Sequence, residues 1–119
     1  GERCKMYCTS VGKAILATMS QQEIAELIQE PLEAYTEYTI TDFEALMKEV
    51  DRTRRRGYGI DNMELNFGMK CVGIVLKNHK GQVEAGLSVS APSLRMSDET
   101  VRKTASILKA YGNEIQKML

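Results

Sequence analysis

The stretch MKCVGIVLKNHKGQVEAGLSVS, from Met69 to Ser90, decides the fold. Apolar residues alternate through both halves, and Asn78, His79, Lys80 and Gly81 between them form a turn-rich break. The stretch therefore reads as two strands, Met69–Lys77 and Gln82–Ser90, joined as an antiparallel hairpin. Side chains alternate along a strand, so Val72, Ile74 and Leu76 share one face of the first, and Val83, Ala85, Leu87 and Val89 share one face of the second. A four-residue loop pairing Lys77 with Gln82 brings these sets together, with Val72 opposite Leu87, Ile74 opposite Ala85 and Leu76 opposite Val83. A slip of one residue would turn one set to solvent.

The opposite face of the hairpin is small and partly polar. In the same register Met69 faces Ser90, Cys71 faces Ser88, and Gly73 faces Gly86. Facing glycines leave a depression that suits close approach by a ligand or by a packed helix, and the two uses are compatible. One thiol and two hydroxyls lie beside it. A lone buried cysteine ordinarily acts as a small hydrophobe; as a nucleophile, Cys71 would need a base or a positive environment, and the only histidine, His79, falls in the predicted turn.

Upstream, residues 3–8 read weakly as a strand running into Thr9 and Ser10, either of which can cap a helix carrying Val11, Ala14 and Ile15. At that helix start the amides of Val11 and Gly12 offer hydrogens to a carboxylate, and Ser88 and Ser90 can add hydroxyl hydrogens. A small organic acid suits such a site. Asp61 ends a predicted strand, Tyr58–Asn62, where it would accept from a ligand hydroxyl or amide, although an aspartate there is more commonly a turn residue.

The remaining segments supply helices. Ser20 and Glu23 form a capping box, with Met19 and Ile24 as its hydrophobic staple, and Pro31 ends that helix. Thr41 with Glu44 reads as a second capping box, opening a helix that buries Phe43, Leu46, Met47 and Val50 and stops at Gly57. Arg52, Arg54, Arg55 and Arg56 crowd its last turn, where positive charge complements the helix dipole, so the run reads as a solvated helix end and not as a DNA-binding patch. Ser97 caps a last helix predicted to bury Val101, Ala105, Leu108, Ile115 and Met118.

Composition bounds the function classes. A chain of 119 residues has the length of one domain, and 43% apolar with 27% charged residues is an ordinary globular balance. Sixteen basic residues match sixteen acidic ones, which leaves out the strongly basic footprint of a nucleic-acid-binding domain. No apolar run approaches the roughly 20 residues a membrane span needs. No secretory signal is visible, and a cytoplasmic protein is expected. Cys4, Cys8 and Cys71 lack metal-site spacing and are expected as free thiols, with no zinc and no cofactor.

Four motifs occur in order: Cys8-Thr-Ser-Val-Gly-Lys-Ala-Ile-Leu-Ala17, Arg56-Gly-Tyr-Gly-Ile-Asp61, Gly68-Met-Lys-Cys71 and Gly86-Leu-Ser-Val-Ser-Ala-Pro92. Together they resemble the effector-binding domain of IclR-type bacterial transcription regulators, over nearly the whole chain. The resemblance implies an α+β, GAF-like fold, a curved antiparallel sheet flanked by helices, that binds a small organic acid or related metabolite. Carried over, the family's pocket falls on Ser10 and Val11, largely through their backbone, and on Asp61, Cys71, Ser88 and Ser90. It further implies a homodimer or homotetramer whose arrangement shifts on effector binding, with DNA contacted only through a winged helix-turn-helix outside this sequence. The first helix and strands of the family's domain have no counterpart here, so the N-terminal part of the domain is expected to be missing. Two other readings stand beside this one: a module used only for assembly, and an enzyme with Cys71 as nucleophile.

Overall fold

The computed structural model describes residues 6–119. Its elements are α1 (Ser10–Leu16), α2 (Gln21–Leu27), α3 (Phe43–Arg56), β1 (Gly59–Asn62), β2 (Met69–Lys77), β3 (Val83–Pro92) and α4 (Asp98–Gln116). The architecture is α+β, as expected: one antiparallel sheet in the order β1-β2-β3, with helices on both faces.

Alternation along β2 divides the core. Val72, Ile74 and Leu76 face α4 and are buried with Val101, Ala105 and Leu108. Each such side chain removed from water contributes about 1.5–3 kcal/mol. A second apolar cluster joins the helices on the other side, with Leu16 of α1, Ile24 of α2, and Leu46 and Val50 of α3 all fully buried. The apolar face of β3 is covered much less, because β3 is an edge strand; Val83 and Val89 are both 38% exposed.

The expected hairpin register is corrected by two residues. Asn78 is the cause: its side-chain oxygen accepts from the amides of Lys80 and Gln82, and its own amide donates to the Gln82 carbonyl at 2.8 Å, which widens the loop to residues 78–82. Gly81 closes the loop at φ +79°, a conformation that favours glycine. Lys77 then pairs with Val83, and a bulge at Glu84 brings Leu76 opposite Ala85, Ile74 opposite Leu87 and Val72 opposite Val89. A shift of two preserves which residues share a face but changes their neighbours. Cys71 stands opposite Ser90, not Ser88, and Gly73 stands opposite Ser88, not Gly86.

The glycine depression is real, though built from different partners. Gly73 pairs with Gly59 of β1, and Gly86 lies diagonally across on β3. The start of α1 fills this trench. A Cβ on Gly59 would stand 2.0 Å from the Ser10 carbonyl oxygen, one on Gly73 2.7 Å from the Val11 nitrogen, and one on Gly86 2.6 Å from a Val11 methyl.

Other expectations divide. The Ser20–Glu23 capping box forms, Gly57 ends α3 in the left-handed conformation, and Ser97 caps α4. The cap of α3 is Asp42, not Thr41, since its carboxylate accepts from the Ala45 amide. Residues 6–8 form a 3-10 turn where a strand was expected, and the rest of that stretch lies outside the described residues. Met118, placed on the buried side of α4, is 77% exposed because the helix ends at Gln116. The arginines at the end of α3 are mostly engaged: Arg54 donates to the carbonyls of Ala17 and Met19, and Arg56 to that of Tyr58 and to the Glu49 carboxylate.

Gly59→Ala should therefore destabilise the domain by about 1–3 kcal/mol, the usual cost of overpacking a close contact. Urea unfolding measures it, and an unchanged midpoint would show that α1 does not sit in the trench as described.

Candidate functional site

Two residues along each strand from the glycine trench, side chains begin again. On β1 Gly59 gives way to Asp61, on β2 Gly73 to Cys71, and on β3 Gly86 to Ser88 and then Ser90. These residues line a cavity of about 280 Å³ roofed by Thr9, Ser10 and Val11. All six residues singled out from the sequence, Ser10, Val11, Asp61, Cys71, Ser88 and Ser90, are brought to this one cavity. Among the described residues three larger hollows, of about 290, 380 and 480 Å³, lie elsewhere and contain none of the six.

The polar groups converge by design of the local chain. Thr9 caps α1, its hydroxyl accepting from the Gly12 amide at 3.2 Å. That contact corrects the expectation that Gly12 offers its amide to a ligand, and leaves the amides of Ser10 and Val11 as the first-turn donors beside the cavity. Across the sheet, Cys71 Sγ lies 3.0 Å from Ser90 Oγ and is hydrogen-bonded to the Asp61 carboxylate, linking three strands. Burial pushes the Cys71 thiol above its ordinary value, and the Asp61 charge adds to that against the opposing bond from Ser90.

Asp61 is 4% exposed. Burial raises its carboxyl, although the amides of Glu64 and Leu65 and the charge of Lys13 oppose the rise. Its Oδ1 accepts from the Glu64 amide at 2.8 Å, which draws the following loop beneath the sheet. Burial likewise raises Glu64, against the stabilising effect of Lys13. The Lys13 ammonium, 1% exposed, lies 2.7 Å from Glu64, 3.6 Å from Glu49 and 2.8 Å from the Ile60 carbonyl oxygen. Burial also pushes Glu49 up, but Lys13, Arg56 and Arg52 outweigh it and hold its carboxyl below the usual value. This ion cluster fixes α1 to β1 and α3.

Sequence reasoning missed four lining residues: Thr9, Leu65, Asn66 and Met69. Met69 was within reach, since it lies two residues from Cys71 on the same face. Leu65 and Asn66 follow Met63, whose φ of 59° turns the chain in a way no local pattern announces. The buried Lys13, Glu49 and Glu64 were missed as well, because a charged residue reads as exposed until its partner is known.

Known proteins share this fold. Residues 1–117 match the family model described as bacterial transcriptional regulator IclR C-terminal. The regulator KdgR of Escherichia coli K12 is 34% identical over 120 residues, covering 100% of this chain and 46% of KdgR. The chain spans less than half the length of the curated relatives it matches. Among solved structures, the Thermotoga maritima IclR superposes with a TM-score of 0.87 at 34% identity, covering 96% of this chain and 47% of that one. The C-terminal domain of E. coli KdgR gives 0.86 at 34% identity, covering 94% and 69% respectively.

Two measurements probe the site's electrostatics. Because burial raises the Asp61 carboxyl, its ionisation costs stability: the full stability is present below the unfolded-state value and is lost as pH rises through the folded one. Asp61→Asn keeps an acceptor for the Glu64 amide without the charge, so its melting temperature should equal or exceed the parent's at pH 7 and fall less between acid and neutral pH. A variant less stable at pH 7 than at acid pH by the same margin as the parent would refute that assignment. Separately, Cys71 should alkylate more slowly than a model thiol at pH 8, measured by mass spectrometry of the labelled peptide; faster reaction would mean an activated thiolate.

Proposed function

This chain belongs to the IclR family of bacterial transcription regulators, and from that membership we propose that its 280 Å³ cavity is an effector pocket for a small organic acid. The observation that carries the reading is the convergence of six residues from α1 and all three strands on one cavity. The amides of Ser10 and Val11 face the ligand carboxylate, with the hydroxyls of Ser88 and Ser90 as further donors. Asp61 accepts from a hydroxyl or hydrated carbonyl on the ligand. Cys71 is a contact residue: its raised thiol suits packing and weak hydrogen bonding, not nucleophilic attack.

In the whole protein, a helix-turn-helix outside these residues contacts DNA, as the designation of the relatives as HTH-type regulators supports. The effector alters operator affinity by the difference between its affinities for the DNA-competent and incompetent arrangements. We further propose that the N-terminal part of the domain lies outside this sequence and that the protein self-associates in the cytoplasm. Ile107 and Tyr111, one turn apart on α4, are both exposed, which supports a subunit contact. Among the described residues no helix is long and apolar enough to cross a membrane.

A thermal-shift panel of a two-carbon oxoacid, a three-carbon oxoacid, a sugar acid and a hydroxybenzoate tests the reading. An acid present at 100 times its Kd should stabilise the domain by about 2.7 kcal/mol. Ser88→Val with Ser90→Ala should abolish that gain. An unchanged response in the double variant, or no response to any acid, would refute the pocket assignment.

A further inference from the structure

β2 is nine residues long and β1 only four, so β1 pairs with β2 from Lys70 to Gly73 and no farther. Beyond that point the outer edge of β2 is open. Two hydrogen bonds reveal which backbone groups it presents. The Met69 carbonyl accepts from the Met63 amide at 2.9 Å on the β1 side, and the Lys77 amide donates to Gln116 Oε1 at 2.8 Å instead of to β3. In an antiparallel strand the N–H and C=O of one residue point the same way, as do those of every second residue. Val75 therefore directs both groups out of this edge, between Gly73 and Lys77 and beyond the last residue that β1 pairs. An uncovered strand edge is a template for another strand, and Gln116 blocks it at one position only.

The edge lines a groove of about 380 Å³ between the end of α1, the end of α3 and α4. Arg54, Lys77 and Lys109 line this groove, and no carboxylate does. Arg54 is paired with Asp51, but the Lys109 ammonium is held by the Arg56 carbonyl at 2.8 Å and the Tyr58 ring at 5.2 Å, without an acidic partner among the described residues. At Gly57 the chain turns at φ +84° with no side chain to close the groove.

We propose that this edge docks an extended acidic segment of a partner protein, which adds a strand to β2 through the backbone of Val75 and, once Gln116 is displaced, of Lys77. Main-chain pairing supplies the affinity and the cationic lining selects acidic side chains. The groove lies apart from the effector cavity, so the interaction does not require the effector site.

Titration of the ¹⁵N-labelled 119-residue chain with capped nine-residue peptides tests this. A peptide of alternating Glu and Val should shift the amide resonances of Val75 and Lys77. Methylation of all its backbone nitrogens, or replacement of Glu by Lys, should weaken binding at least tenfold. Lys77→Glu should weaken it, and Gln116→Ala, which frees the Lys77 amide, should strengthen it severalfold. The proposal is overturned by absence of binding at millimolar peptide, by equal affinity for the methylated peptide, which would indicate a charged surface alone, or by shifts confined to the outer edge of β3.

Discussion

The seating of α1 on three glycines is the constraint from which the rest of this structure follows. Gly59, Gly73 and Gly86 belong to three adjacent strands, and each would drive a Cβ into Ser10 or Val11. Only their absence of side chains lets the first turn of α1 approach the sheet so closely. That approach sets the depth of the cavity, because the roof is the same turn and the floor is made by the next residues along the same strands. A helix seated an ångström or two higher would leave its amides too far from the serine hydroxyls to share one ligand.

The packing that holds α1 down is electrostatic as well as apolar. Lys13 is buried beneath the helix between Glu64 and Glu49, and Asp61 binds the backbone of the loop that carries Glu64. Buried ions are costly to desolvate, and their value here is better understood as positional than as net stabilisation. The cluster connects the wall of the cavity to α1 and α3. A ligand that altered the charge or position of Asp61 would thereby act on the elements that orient α1, giving the proposed effector a physical route into the fold.

Much of this was legible in the sequence. Alternation in Met69–Lys77 and Gln82–Ser90 gave the hairpin and the polar face, because burial on one side demands a period of two. The register was not legible, since Asn78 sets it through two side-chain hydrogen bonds and a bulge at Glu84 absorbs the difference. The error of two residues was harmless to the site, as parity kept Cys71, Ser88 and Ser90 on one face. The contribution of Gly59 was hidden because pairing between β1 and β2 depends on the loop through Met63, and the buried role of Lys13 was hidden because its partners lie 36 and 51 residues away.

In the proposed pocket the first-turn amides of α1 and the strand hydroxyls meet at one ligand. Amide chemical shifts of the ¹⁵N-labelled chain, recorded while titrating the acid that gives the largest thermal shift, test this most directly. The amides of Ser10 and Val11 should move furthest downfield, together with those of Ser88 and Ser90. Saturable shifts that leave Ser10 and Val11 in place and cluster elsewhere would contradict it.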